Sequence, residues 1–168
     1  AIAVPFFLLH PRLRKLEKKM MYECEGESRE SFSRLFFHEL GHVFDHAFQV
    51  SSRALWQKHF GSNKKPYTPH SYRPRPYSKN FVKNISDQDA QSHPDEDLAE
   101  TFAVWLNPRS HWKSRYKGWG ALKKLQYVDK FCREFAGVYV PPPRGRMLSD
   151  AKYLNSTLEH YYQRKKRL

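Results

Sequence analysis

The chain has 168 residues, 39% hydrophobic and 15% aromatic, which supplies one ordinary core and excludes a disordered chain although mean hydropathy is −0.84. Lys and Arg outnumber Asp and Glu by 30 to 17, a formal charge of +13 that predicts attraction to acidic peptides, nucleic acid or anionic lipid without specifying fold or chemistry. Cys24 and Cys132 alone make no disulfide framework and no CxxC metal knuckle, and predict reduced thiols in a cytoplasmic protein.

One domain over residues 1–162 with a basic tail at 163–168 is the expected organisation. The apolar opening, residues 1–9, contains Pro5, lacks a preceding basic segment and is too short to span a bilayer, so it reads as a buried or edge strand. The chain does not begin with Met, which leaves room for residues removed upstream. Leu13, Leu16 and Met20 recur at helical spacing among Arg and Lys, a surface helix ending near Gly26. Ser28 or Ser31 caps the next helix, in which Phe32, Leu35, Phe36, Leu40, Val43 and Phe44 leave a polar stripe of His38, Glu39, His42, Asp45 and His46. A helix apolar on most sides belongs in the core, so its polar stripe needs partners.

Residues 52–60 read as a short helix closed by Gly61, and residues 62–79, rich in Pro, Tyr, Arg and Lys, as a long ordered loop that either lines a substrate groove or merely connects. Ser92-His93-Pro94-Asp95-Glu96 has the signature of a helix start, with Ser92 capping, Pro in the first turn and acids at the positive end of the dipole. Leu98, Ala99, Phe102, Ala103 and Leu106 continue that helix until Asn107-Pro108 stops it. Residues 112–116 and 122–135 give further helical periodicity, Pro141-Pro142-Pro143 breaks the chain, and a last helix is expected near residues 150–162, with Arg164 to Arg167 as a solvated tail. Strand signals are thin, the best at residues 1–9, 80–85 and 138–140. The expected fold is a mainly helical α+β domain with a small sheet.

His38-Glu39-Leu40-Gly41-His42 carries the chemistry. Two histidines four apart on a helix share one face about 6 Å apart, close enough to grip one metal ion, with Glu39 beside them to act as general base. Catalytic zinc needs a third protein ligand. A metzincin continuation fails because Asp45 and Phe48 stand where glycine and histidine are required. His46, on the same straight helix, cannot join a tetrahedral set with the other two, and neither cysteine sits in a ligand motif. A carboxylate from a second helix remains, and Glu96 and Glu100 lie four apart on one face: one as ligand, the other accepting the outer N–H of a histidine. Glu96 as ligand with Glu100 in support is the first assignment, and the reverse stays open.

HELGHVFD together with SHPDEDLAETFA resembles the gluzincin metallopeptidases, in which HExxH is completed by Glu on the next helix. More closely, the pair is similar to a bacterial zinc-binding metallopeptidase family, and its second motif is similar in layout to the ligand helix of anthrax lethal factor. The resemblance runs from about Pro5 to Asp129 and includes PFFLLHPRL, YRPRPYS and GWGALKKLQYVD. It implies a zincin-like fold, one Zn2+ on His38, His42 and Glu96, Glu39 as base, and Glu100 and Asp45 in support of the ligands. Sequences of this kind place a Tyr seven residues before the ligand Glu, where its hydroxyl supports the oxyanion. This chain has Asp89 there, so Tyr77 or His93 substitutes, or the zinc carries that task.

The expected function is a zinc peptidase or amidase acting on peptides or proteins, with acidic peptides favoured by charge. The alternative is a zinc-containing but catalytically silent basic domain that binds nucleic acid or another anionic partner, although no nucleic-acid-binding motif is evident. No transmembrane segment is expected.

Overall fold

The computed structural model of the protein describes residues 2–68, 71–85, 88–141 and 155–167. Regular structure among them is helical: α1 (Pro11–Met21), α2 (Arg29–Phe48), α3 (Ala54–Phe60), α4 (Pro94–Leu106), α5 (Trp112–Arg115), α6 (Ala121–Glu134) and α7 (Leu158–Lys165), with 3₁₀ turns at Phe6–Leu9, Val50–Ser52 and Asp89–Gln91. None of these helices is long and apolar enough to cross a membrane. The chain divides into two compact units, one formed by residues 3–27 and 140–168, the other by residues 28–139.

The expected small sheet is absent among the described residues, so the α+β class is corrected to an all-helical one. Each strand candidate is used otherwise. Pro5 opens a 3₁₀ turn in which Leu8 N–H already bonds Pro5 C=O, curling the segment into the start of α1. In residues 80–85 the backbone is satisfied by side chains rather than by a neighbouring strand: Lys83 N–H donates to Tyr116 Oη at 3.0 Å, Ile85 N–H to Glu100 Oε2 at 3.0 Å, and Asn84 C=O accepts from Arg34 at 3.1 Å. Val138, Tyr139 and Val140 are exposed, and Val138 N–H turns back to Phe135 C=O.

In the smaller unit, His10 caps α1, its Nδ1 accepting from Arg12 N–H at 3.2 Å with Pro11 in the first turn, and Tyr22 ends the helix at φ 68, sooner than Gly26. Phe6 packs edge-on against Tyr161 of α7 at 5.0 Å, and Lys165 pairs with the buried Glu17. Arg164 and Lys165 thus belong to the last turn of α7, not to a tail. Residues 150–154, expected in that last helix, and Pro142 and Pro143 of the expected break lie outside the described residues.

In the larger unit, Ser28 and Ser31 cap α2 reciprocally, at 3.0 and 3.1 Å. The central element is α4, nine of whose residues are buried, including Asp97 and Glu100. Phe44 of α2 meets Phe102 of α4 at 5.1 Å and Phe131 of α6 at 5.4 Å, over a core that also holds Val50, Trp56, Phe60, Leu98 and Val128. Lys124 of α6 closes an ion pair on Asp97 beneath this layer. His93, rather than Ser92, caps α4: its Nδ1 accepts from Asp95 N–H at 3.2 Å, while Ser92 Oγ donates to Asp89.

α2 and α4 run antiparallel, with His38 opposite Glu100 and His42 opposite Glu96. Their backbones meet at Gly41, where an added Cβ would lie 2.7 Å from Ala99 Cα and 3.2 Å from Phe102 Cβ. Ala99 is wholly buried and its backbone has nowhere to go. Alanine would gain about 1 kcal/mol of helix propensity, but overpacking at such a site costs about 1–3 kcal/mol, so sterics win. Gly41→Ala is expected to lower the denaturant midpoint without changing the m-value, as measured by urea unfolding; an unchanged or higher midpoint would show that the helices can part at no cost.

Candidate metal centre

Three ligating atoms converge where α2 passes the first turn of α4. His38 Nε2 lies 3.1 Å from Glu96 Oε2, His42 Nε2 3.2 Å from the same oxygen, and the two imidazole nitrogens 3.1 Å from each other. These edges are nearly equal, and bonds of about 2.0–2.1 Å at tetrahedral angles place the ligands of one zinc about 3.3 Å apart. The two rings meet near perpendicular, at 76° and 4.8 Å between centroids, as helix neighbours four apart do when both aim at one point.

The hydrogen bonds behind the triangle decide which lone pairs face it. Glu100, 1% exposed, accepts at Oε1 from Asn84 Nδ2 at 2.9 Å and at Oε2 from Ile85 N–H at 3.0 Å, and receives His38 Nδ1 at 2.8 Å. A carboxylate so placed only accepts, so His38 carries its proton on Nδ1 and turns a bare Nε2 lone pair toward Glu96 and His42. Three acceptor atoms about 3 Å apart repel unless a cation or a proton lies among them. Without a metal the proton serves: burial pulls the His38 pKa down, but Glu100 and Glu96 outweigh it and raise it to about 10. Burial likewise pushes Glu96 up, but His38 and His42 hold its carboxyl well below the usual range. A metal would have to displace that proton, and the positions of His38, His42 and Glu96 form a group that could hold one.

The other residues singled out in the sequence divide. Glu39 follows His38 on α2, is half-buried, and its carboxylate makes no hydrogen bond or ion pair among the described residues. Glu100 holds the position behind His38 that supports a ligand. Asp45 touches neither histidine through a hydrogen bond: its Oδ1 accepts from Ser51 N–H at 2.8 Å and secures the turn after α2. His46 is outside the ligating group. Tyr77 is 93% exposed and makes no ring or hydrogen-bond contact with the group. His93 is spent on structure, since Nδ1 caps α4 and Nε2 donates to Lys65 C=O at 2.7 Å.

Tyr67 is the residue the motifs did not name. Its ring stands edge-on to His93 at 5.7 Å, and burial first, then the charge of Glu96, raises its pKa. The loop bearing it is fastened across the start of α4 by the Lys65–His93 bond and by Gln91, which pairs with the backbone of Arg75 at 2.8 and 3.1 Å. The tyrosines of residues 62–79 marked this loop in the sequence, but nothing there told Tyr67 from Tyr72 or Tyr77.

No family model matches the chain, and no curated protein or solved structure matches it either. The case for a metal centre therefore rests on this geometry. In a zinc titration followed by competition with a chromogenic chelator, Glu96→Ala is expected to abolish stoichiometric binding. Glu100→Gln should weaken it about 10–100-fold, the usual effect of losing the carboxylate behind a ligating histidine. Wild-type affinity in both variants would rule out this ligand set.

Proposed function

We propose that the chain is a gluzincin-like zinc hydrolase of peptide or amide bonds. The observation that carries the reading is the nearly equilateral triangle of His38 Nε2, His42 Nε2 and Glu96 Oε2, on a helix where Glu39 follows His38 directly in the chain. Zinc held by these atoms would supply Lewis acidity toward a water and an amide carbonyl. Glu39 takes a proton from the attacking water and passes it to the departing nitrogen. The water oxygen bonds to the acyl carbon, the C–N bond breaks, and a carboxylate and an amine leave without a covalent link to the protein. Glu100 keeps the His38 lone pair directed inward throughout, and the Tyr67 hydroxyl donates to the oxygen on which negative charge develops.

Asp89, in the position where sequences of this kind carry tyrosine, favours a second reading: a zinc-holding but catalytically silent domain that binds an anionic partner. The two readings part at turnover. On a mixed peptide library with cleavage read by mass spectrometry, Glu39→Gln should keep its zinc and lose about 10²–10⁴-fold in rate, the range of a general base. Turnover equal to wild type would remove Glu39 from the mechanism, and no turnover in either protein would leave the silent reading. Tyr67→Phe should lower kcat about 10²-fold at unchanged zinc content, as loss of an oxyanion donor does; a loss of zinc instead would assign Tyr67 to holding Glu96.

A further inference from the structure

A cleft lies in the 28–139 unit, where the N-terminal turns of α2 meet the C-terminal end of α4. It encloses about 630 Å³, and its walls carry Arg29, Arg34, Lys83, Arg109 and Arg115 against a single carboxylate, Glu30. A smaller cavity of about 300 Å³ shares Arg34, Lys83 and Arg115 with it. Glu30 is already committed to Arg34 at 2.6 Å, and Arg34 also donates to Asn84 C=O at 3.1 Å. Arg29, Lys83, Arg109 and Arg115 have no ion-pair partner among the described residues; Lys83 and Arg115 only overlie the rings of Trp119 and Tyr116, at 6.0 and 5.5 Å. These cations are solvent-exposed, and grouped on the walls of one concave surface they focus a positive field on whatever enters.

The walls narrow the choice of anion. Phe37 is the one aromatic side chain in the lining, so there is no platform on which successive bases could stack. The three guanidinium groups without an ion-pair partner, those of Arg29, Arg109 and Arg115, suit carboxylates, which guanidinium grips through paired N–H donors. The cleft also shares both helices with the candidate metal centre, Arg34 preceding His38 by one turn of α2, about 6 Å along the helix.

We propose that this cleft is the docking site for an acidic segment of the peptide substrate, a run of Asp or Glu a few residues from the bond attacked. The proposal rests on the peptidase reading for the word substrate, but its binding chemistry can be tested apart from turnover. In the zinc-loaded Glu39→Gln full chain, fluorescence anisotropy would be recorded with labelled deca-glutamate, deca-glutamine and a ten-residue oligothymidylate. Deca-glutamate should bind and deca-glutamine should not. Adding Arg109→Glu and Arg115→Glu, both at exposed positions, should weaken deca-glutamate at least about tenfold, whereas Lys58→Glu with Lys130→Glu, the same charge change on other exposed lysines, should cost less than about threefold. Circular dichroism identical to the parent would show both double variants folded. Equal losses in the two would reduce the effect to net charge and overturn the site. Oligothymidylate binding that is tighter than deca-glutamate and lost only with Arg109 and Arg115 would overturn it in favour of a nucleic-acid backbone. Because no cleavage enters the assay, a failed peptidase reading would leave its result standing, and the converse also holds.

Discussion

The close approach of α2 and α4 at Gly41 governs the larger unit. Without a side chain there, the two backbones come near enough for a histidine pair on one helix and a glutamate pair on the other to interleave, His42 with Glu96 and His38 with Glu100. The separation of the helices sets the separation of the ligating atoms. A single methyl group at Gly41 therefore acts on packing and on the spacing of His38, His42 and Glu96 together, because the same seam serves both.

Burying Asp97 and Glu100 and half-burying Glu96 within five residues of α4 would be ruinous if they shared one environment. Each has its own answer. Glu96 faces two imidazoles, Asp97 meets Lys124 of α6, and Glu100 collects Asn84, the Ile85 amide and His38. The answers differ in completeness: burial pushes Asp97 up to about 7 despite Lys124, whereas Glu96 is held low by the histidines. The irregular segment 80–85 gains its purpose here. It gives up strand pairing and instead brings an amide and a carboxamide to Glu100, so the lost sheet and the supported ligand have one cause.

The same allocation sharpens the charge of the surface. Several of the 17 acidic residues, among them Glu17, Asp97 and Glu100, are taken inside by partners, while most arginines and lysines stay outside. These acids are matched by partners such as Lys124, Lys165 and His38, and at the cleft between α2 and α4 the basic excess becomes local rather than diffuse. Net charge alone describes attraction at a distance; a concave group of unpaired cations has a shape that can select.

Periodicity, caps and stop signals made the helices legible: Ser28, Gly61 and Asn107-Pro108 stand at ends of α2, α3 and α4 because a cap or a breaker acts within a few residues. The same local reading misplaced the end of α1 and the cap of α4, where Tyr22 and His93 took roles that glycine and serine commonly fill. It also took residues 1–9, 80–85 and 138–140 for strands, since alternation and β-branching cannot reveal whether a partner strand exists. For the centre, spacing by itself determined that His38 and His42 share a face and that Glu96 and Glu100 share another. What only the tertiary structure decided is which glutamate meets which histidine, that Asp45 and His93 serve turns and caps, and that Tyr67 stands beside Glu96. These depend on how two helices and a loop lie against one another, and that relation is fixed by packing across dozens of residues rather than by any interval along the chain.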